Sequence, residues 1–240
     1  MIDAGLEREV HVWSARISAL AVEEPRFFGM LDARERQRAL RFRFARDRSA
    51  YVISHGVLRE LLARYVGRAP EHLEFGVGKY GKPYLLEASG CPSTVAFNVS
   101  HSADYALIAL ARDRAVGVDV ERWNVESDFD EIAETCFSGA ERAELRSLAP
   151  NRRDAGFHAG WTRKEAYVKA LGVGISAGLD YFDVALSPSP STLLIEDRRR
   201  KANVFRWRLI DVPMVTGYSA ALCAAGSDWF LRHYPFAVRG

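Results

Sequence analysis

The sequence predicts an α+β protein of two similar halves, residues 1–114 and 115–240, each a small antiparallel sheet packed with helices. A strand, a capped helix, a longer helix and three strands follow one another twice, at a spacing of a little over 100 residues. Leu31–Leu40 is also echoed in sequence by Phe137–Leu145. We therefore expect the halves to join near residues 112–115, with an active site at their interface and a metal site in the C-terminal half.

The first half opens with an alternating strand, Val10–Ile17. Asp32 and Glu35 have the spacing of a capping box and start a short helix. A longer helix is expected over Asp47–Tyr65, ended by Gly67. The strands expected after it are Leu73–Val77, Val95–Val99 and Tyr105–Ala111.

The second half repeats that order, starting with a strand over Ala115–Glu121. Ser138 and Glu141 form a second capping box, and the helix that contains Trp161 is expected to end at Gly172. The remaining elements expected are strands over Tyr181–Leu186, Phe205–Asp211 and Ser219–Ala224, and a loop over 187–191.

Composition limits the classes of function. Of 240 residues, 48% are apolar and 27% charged, as in soluble globular proteins. No run approaches a membrane span and the N-terminus has no apolar signal core, so we expect a cytoplasmic protein without a membrane partner. A net charge of +2 argues against nucleic acid, and three scattered cysteines argue against disulfides or structural zinc.

Positive charge is concentrated in one segment, where seven arginines fall within residues 34–48. They are Arg34, Arg36, Arg38, Arg41, Arg43, Arg46 and Arg48. Such a run is either a solvated helix face or a surface that receives phosphates or an acidic partner.

The helix from Trp161 to Gly172 carries the main candidate residues. Helical spacing sets Glu165 and Lys169 one turn apart, at the rim of an apolar stripe that includes Tyr167. That arrangement suits a half-buried site. The alternative is that Glu and Lys four residues apart form an ordinary surface pair.

A second group of acidic residues lies in the run from Val116 to Glu121. With strand periodicity, Asp119 and Glu121 share one face, about 6.5–7 Å apart. If Glu165 joins them, three hard oxygen donors converge, which suits Mg²⁺, with Mn²⁺ possible at the same donors. The alternative is the solvent-facing side of an antiparallel strand.

Two further motifs have phosphate-binding chemistry. Ser100 and His101 end a strand, where hydroxyl and imidazole groups can hold a phosphate, although a histidine there is also a common surface residue. The glycine-containing turn from Gly78 to Tyr84 carries Lys82, which could meet a phosphate or a base; alone it indicates only a turn.

Taken together and in order, four motifs resemble those of the phosphopantetheinyl transferases, and more narrowly the surfactin-synthetase-activating type. They are G-K-P at 81–83, F-N-V-S-H-S at 97–102, G-V-D-V-E at 117–121 and W-T-R-K-E-A-Y-V-K-A-L-G at 161–172. The resemblance implies the phosphopantetheinyl transferase fold of two pseudo-symmetric halves. It also implies that the 4'-phosphopantetheine arm of coenzyme A, the donor substrate, is moved to a serine of an acyl, peptidyl or aryl carrier protein, with release of adenosine 3',5'-bisphosphate.

The resemblance also implies roles for individual residues. By matching positions, Asp119, Glu121 and Glu165 would bind Mg²⁺, and Lys169 would contact the pyrophosphate. The catalytic set would be Asp119, Glu165 and Lys169, and the coenzyme would be held by Arg48, Ser49, Lys82, Ser100, His101 and Lys169. Which of Arg34, Arg36 and Arg38 contact the coenzyme stays open.

Glu165, or water on the metal, would take the proton of the carrier serine. The basic run would steer an acidic carrier, and two halves in one chain allow a monomer. Two other functions fit the same residues: a metal-dependent phosphate-ester hydrolase, and a carrier-binding module without catalysis.

Overall fold

The computed structural model describes residues 5–123, 129–174, 178–187, 193–199 and 201–238. Their helices are α1 Glu24–Met30, α2 Ala33–Leu40, α3 Ala45–Val66, α4 Phe129–Cys136, α5 Gly139–Ser147 and α6 Pro150–Leu171. Their strands are β1 Glu9–Arg16, β2 Glu74–Val77, β3 Pro83–Leu86, β4 Val95–Ser102, β5 Tyr105–Arg112, β6 Val116–Arg122, β7 Phe182–Val184, β8 Leu194–Asp197, β9 Trp207–Asp211, β10 Tyr218–Ala225 and β11 Phe230–Pro235. Short 3₁₀ segments cover Ser18–Glu23, Pro70–His72 and Lys201–Arg206.

These elements form two compact units. Within the described residues, the first unit comprises 5–77, 83–113 and 229–238, and the second comprises 78–82 and the residues described between 114 and 228. The units differ from the predicted halves at two segments. The turn at 78–82 clusters with the second unit, and β11 lies in the sheet of the first, where it pairs in parallel with β1. Sequence order cannot foresee such pairing, because any exposed sheet edge can accept a distant strand.

The first unit has a four-stranded sheet in the order β11-β1-β5-β4 and a separate β2-β3 hairpin. Apart from the parallel β1-β11 pair, its pairings are antiparallel. The core includes the long helix α3, whose residues Val52, Leu61 and Leu62 are buried with Ile108 and Leu110 of β5.

The second unit has an antiparallel sheet in the order β6-β10-β9 and a β7-β8 pair. Helix α6 packs on β6 and β10, and its residues Ala166 and Tyr167 are buried in one core with Ala221 and Cys223 of β10. The α+β class is confirmed in both units.

The internal repeat extends to a buried network built on each capping box. In the first unit, Asp32 and Glu35 cap α2 and both accept hydrogen bonds from the buried Arg59 of α3. In the second, Ser138 and Glu141 cap α5, and Glu141 accepts a hydrogen bond from the buried Lys164 of α6.

The cations of these two networks occupy matching positions. Arg59 and Lys164 lie the same number of residues after the first residue of α3 and of α6, and both helices have 22 residues. Both helices also end at a left-handed glycine, Gly67 and Gly172, each at φ 67°. The pseudo-symmetry is therefore one of packing as well as of element order.

Most elements were expected from the sequence, but five of the described helices and strands were not. These are the helices α1 and α4 and the strands β3, β8 and β11, all of which are at most eight residues long and give little periodic signal. Helix α6 also begins at Pro150, well before Trp161. The loop predicted at 187–191 lies, except for Ser187, outside the described residues.

Candidate functional site

The candidate site of the second unit rests on a close approach of β6 to α6. A Cβ atom on Gly117 would lie 2.2 Å from the Ala166 carbonyl oxygen and 2.3 Å from the Ala170 nitrogen. Glycine is therefore required for the strand to lie directly against the helix backbone. Because side chains alternate along a strand, Asp119 and Glu121 share the α6-facing side with Gly117. The sequence predicted that the two acidic residues share a face, but not that this face lies against α6.

Asp119 and Lys169 are joined across this contact. Lys169 Nζ donates to Asp119 Oδ1 at 2.6 Å. Asp119 is only 2% exposed, whereas the lysine side chain is 27% exposed. A short ion pair between a buried strand carboxylate and a helix lysine is stronger than a surface pair within one helix. Lys169 therefore belongs to the carboxylate site on β6.

Glu165 completes a set of three acidic residues. Its side chain is 5% exposed, and within the described part of the chain its Oε1 atom is buried without a hydrogen-bond partner. Burial raises the pKa of Glu165 to about 7; the Asp119 and Glu121 charges add to this shift and Lys169 opposes it. The three carboxylates are thus close enough to interact electrostatically, and one of them can exchange a proton near neutral pH.

The donor chemistry of this set fits a hard divalent cation. Carboxylate oxygens suit Mg²⁺, and the buried Glu165 oxygen without a hydrogen-bond partner is available to ligate such an ion. In the described residues, no three His, Cys, Asp or Glu side chains are gathered closely enough to hold a metal ion. The predicted triad of Asp119, Glu121 and Glu165 therefore stays a proposal.

Two basic residues in the same helix have structural roles. Lys164 is buried and donates to Glu141 Oε1, to the Leu179 carbonyl and to the Phe182 carbonyl at 2.7–2.9 Å. Arg163 is buried too and makes two hydrogen bonds to the Asp211 carboxylate, at 2.8 and 2.6 Å. These residues hold α6 in place and leave Glu165 and Lys169 as the chemically available pair.

Lys82 lies in the turn at 78–82. Its Nζ donates to the Val116 carbonyl at 2.8 Å and to the Ala170 carbonyl at 3.4 Å. Burial lowers the pKa of Lys82 to about 8. The ammonium thus fastens the turn to the start of β6 and the end of α6, a structural role that the sequence did not indicate.

The other predicted coenzyme residues lie in the first unit. Ser100 is buried and His101 is exposed, both near the end of β4. Arg48 is exposed in the first turn of α3, and Ser49 donates to Glu24 Oε2 at 2.6 Å.

The three competing arginines differ in their surroundings. Arg36 donates to the carbonyls of Phe28 and Gly29, at 3.3 and 2.7 Å, and so ties α2 to α1. Arg34 and Arg38 instead face an open cavity of about 690 Å³. It is lined by Arg34, Gln37, Arg38, Arg41 and Phe42. The cavity makes Arg34 and Arg38 the better candidates for anion contacts.

Sequence reasoning missed two aromatic residues beside Arg38. The rings of Tyr51 and His55 stack with centroids 3.9 Å apart, and the Arg38 guanidinium lies 5.4 Å from the Tyr51 ring centroid. Burial, with the charges of Arg38 and His101, lowers the pKa of His55 to about 4. The spacing of four residues between Tyr51 and His55 was a usable signal, as was the lone glycine at 117 within a valine-rich strand.

Comparison with known families covers both parts of the chain. A profile described as "4'-phosphopantetheinyl transferase superfamily" matches residues 115–223. A second, described as "4'-phosphopantetheinyl transferase, N-terminal", matches residues 21–113.

Within the described residues, no helix is long and apolar enough to cross a membrane.

Individual relatives agree with these profiles. The 4'-phosphopantetheinyl transferase HetI of Nostoc sp. is 32% identical over 224 residues, covering 93% of this chain and 91% of the relative. A 4'-phosphopantetheinyl transferase of Bacillus subtilis is 31% identical over 69% of this chain and 71% of its own length. Sfp of Bacillus subtilis strain 168 is 25% identical over 86% and 88%.

The identity to Sfp is lower than that to HetI, so the surfactin-synthetase-activating subtype stays a prediction. Enzymes of this family use coenzyme A as the donor and act on carrier proteins. The prediction of a transferase is confirmed, and this chain belongs to the 4'-phosphopantetheinyl transferase superfamily.

Proposed function

We propose that this enzyme transfers the 4'-phosphopantetheine arm of coenzyme A to a serine of an acyl, peptidyl or aryl carrier protein, with Mg²⁺, and releases adenosine 3',5'-bisphosphate. The observation that carries the proposal is the buried group on β6 and α6, in which Asp119 pairs with Lys169 and Glu165 has a pKa of about 7. Transfer of a phosphate-linked group needs mainly charge neutralisation and alignment, and such a group supplies both.

In this proposal Asp119, Glu121 and Glu165 hold Mg²⁺, with Mn²⁺ able to take the same oxygens. Bound there, the ion would neutralise pyrophosphate oxygens of the donor. Lys169 contributes its positive charge to the same pyrophosphate. Glu165, or water on the metal next to it, accepts the proton of the attacking serine hydroxyl.

Further residues are proposed to contact the donor. Ser100, His101, Arg48 and Ser49 contact its phosphates, and Lys82 lies along the adenine. Arg38 joins them from the cavity beside α2, with Arg34 as its neighbour. Because the Lys82 ammonium already donates to two backbone carbonyls, we infer that its contact with the adenine is made by the alkyl chain and the glycine turn.

We also propose the surfactin-synthetase-activating subtype. The chain matches Sfp over 88% of that enzyme's length, and separate profiles match its two parts in tandem. The proposal includes a monomeric enzyme in the cytoplasm that requires neither nucleic acid nor a membrane. Sedimentation of the purified protein as a dimer would contradict the monomer.

The test is mass spectrometry of carrier proteins incubated with the enzyme, coenzyme A and Mg²⁺. We expect each accepted carrier to gain one phosphopantetheine arm and adenosine 3',5'-bisphosphate to appear in equal amount. Asp119→Asn should slow transfer at least about a hundredfold, because it removes a charge needed in the transition state. Asp130→Asn, at an exposed position of α4, is the matched control.

Two results would contradict the proposal. An Asp119→Asn enzyme as active as Asp130→Asn would exclude the role of Asp119. Release of phosphate products from coenzyme A without any carrier would indicate a hydrolase instead.

A further inference from the structure

The contact of Lys169 with Asp119 places a positive charge among the carboxylates of the acidic site. The Lys169 ammonium lies 2.6 Å from Asp119 Oδ1 and interacts electrostatically with the buried Glu165, which also interacts with Glu121. Burying like charges together is costly unless a cation compensates them. Lys169 supplies such compensation in the structure as it stands.

The carboxylate of Asp119 is also needed for the proposed metal. A divalent ion bound to this carboxylate would repel the ammonium beside it, so the two cations compete for the negative charge of Asp119. The lysine side chain is the one that can move away, because its charge lies at the end of a flexible four-carbon stem. Its side chain is 27% exposed, whereas that of Asp119 is 2% exposed, so the lysine can move and the aspartate cannot.

We propose that Lys169 is a built-in counter-ion of the carboxylate group in the free enzyme, and that it leaves Asp119 when the divalent ion binds. This inference rests on the proposed function, which places the ion at Asp119, Glu121 and Glu165. The released ammonium stays at the rim of the site, where the pyrophosphate of the donor is proposed to lie. Exchange of Lys169 between Asp119 and the pyrophosphate would then couple metal binding to donor binding.

In the first unit, the residue at the same helix position has a partner within its own helix. Arg64 of α3 corresponds to Lys169 in the repeat and pairs with Glu60, one turn earlier in its own helix. The next residue of α3, Tyr65, contacts His11 and Trp13 of β1 through its hydroxyl, at 2.6 and 3.1 Å. In the second unit, Lys169 instead pairs with a carboxylate of the neighbouring strand.

The test measures Mn²⁺ binding to the enzyme in the absence of coenzyme A. Electron paramagnetic resonance quantifies the Mn²⁺ that stays free. It is done at about pH 8.5, where Glu165 is ionised. Four proteins are compared: the unaltered enzyme, Lys169→Met, Lys79→Met and Asp119→Asn. Lys79 is an exposed lysine of the same unit, so its variant controls for the loss of one positive charge.

We expect Lys169→Met to bind Mn²⁺ about tenfold more tightly than the unaltered enzyme, because the competing cation is gone. Lys79→Met should bind as the unaltered enzyme does. In a metal-free buffer Lys169→Met should unfold at a lower temperature, and saturating Mg²⁺ should raise its melting temperature more than that of the unaltered enzyme.

Equal or weaker Mn²⁺ binding by Lys169→Met, with binding lost in Asp119→Asn, would overturn the counter-ion role and leave the metal site in place. Unchanged Mn²⁺ binding by Asp119→Asn would overturn the metal site itself, and the inference with it. If Lys169→Met does not fold, Lys169→Gln serves for the same comparison.

Discussion

Two lysines five residues apart on α6 show how burial separates structural from chemical roles. Lys164 has three acceptors around a fully buried ammonium, including the capping-box carboxylate of Glu141. Lys169 is partly exposed and pairs with Asp119 on the neighbouring strand. Both belong to the motif at 161–172, but only Lys169 lies at the acidic site. A saturated, buried cation holds elements together, whereas one at a rim can change partners.

His55 gives a prediction for the pH dependence of stability. Burial first, and then the nearby charges of Arg38 and His101, lower the pKa of His55 from 6.5 to about 4, whereas the unfolded chain takes up the proton near 6.5. The unfolded state therefore binds more protons between these values, and stability falls as the pH falls through this range. From pH 7.5 to about pH 5 the free energy of unfolding should drop by about 2 kcal/mol on this account.

Urea unfolding at the two pH values measures this loss. His55→Asn should lose correspondingly less stability than the unaltered enzyme, while His72→Asn, at an exposed position, should behave like the unaltered enzyme. Equal losses in all three proteins would show that His55 is not the group that titrates.

At the scale of elements, the β6 and α6 contact makes the site. Gly117 allows the strand backbone to lie against the helix backbone, and the next two residues on the same face are Asp119 and Glu121. The helix in turn is held by the pair of Arg163 with Asp211 and by Lys164. The acidic site thus depends on one small residue and on two fully buried anchors, Arg163 and Lys164.

Gly117→Ala tests this dependence. The added methyl group would overlap the backbone of Ala166 and Ala170, so the strand must move away. We expect a loss of about 2 kcal/mol or more in the free energy of unfolding and slower transfer to carriers. Gly139→Ala is the matched control in the same unit, because its methyl group would have nothing within 4 Å.

Gly139→Ala should be neutral or slightly stabilising in chemical denaturation, since Gly139 begins a helix. Normal stability and transfer in Gly117→Ala would mean that the close approach is not needed.

At the scale of the whole molecule, one packing plan serves two units with different chemistry. Each has a capping-box glutamate bound to a buried cation of a 22-residue helix, Arg59 in one and Lys164 in the other. The residues that follow are Glu60 and Glu165. Glu60 pairs with Arg26 and Arg64, whereas Glu165 lies among carboxylates. The two units share the capping box, the buried cation and the long helix. They differ in the partners of the glutamate that follows the buried cation.

Charge distribution gives a prediction at this scale. The net charge is only +2, yet seven arginines fall within residues 34–48, and Arg43 and Arg46 are exposed there. Raising the salt concentration should slow the modification of an acidic carrier at limiting carrier concentration, because screening weakens steering. Replacing Arg43 and Arg46 by Gln should lower the low-salt rate severalfold and flatten the salt dependence.

Transfer rates at a series of NaCl concentrations measure this effect, with an uncharged peptide acceptor as the control. A rate to acidic carriers that is independent of salt would contradict steering.

The sequence by itself determined the α+β class, both capping boxes, the glycine ends of the two long helices and the family, because these depend on local spacing and ordered motifs. It also placed Asp119 and Glu121 on one strand face. Only the tertiary structure decided that Lys169 pairs with Asp119, that Lys164 is structural and that β11 joins β1. Partner choice for a side chain or a sheet edge depends on which elements burial brings together, and sequence spacing does not record that.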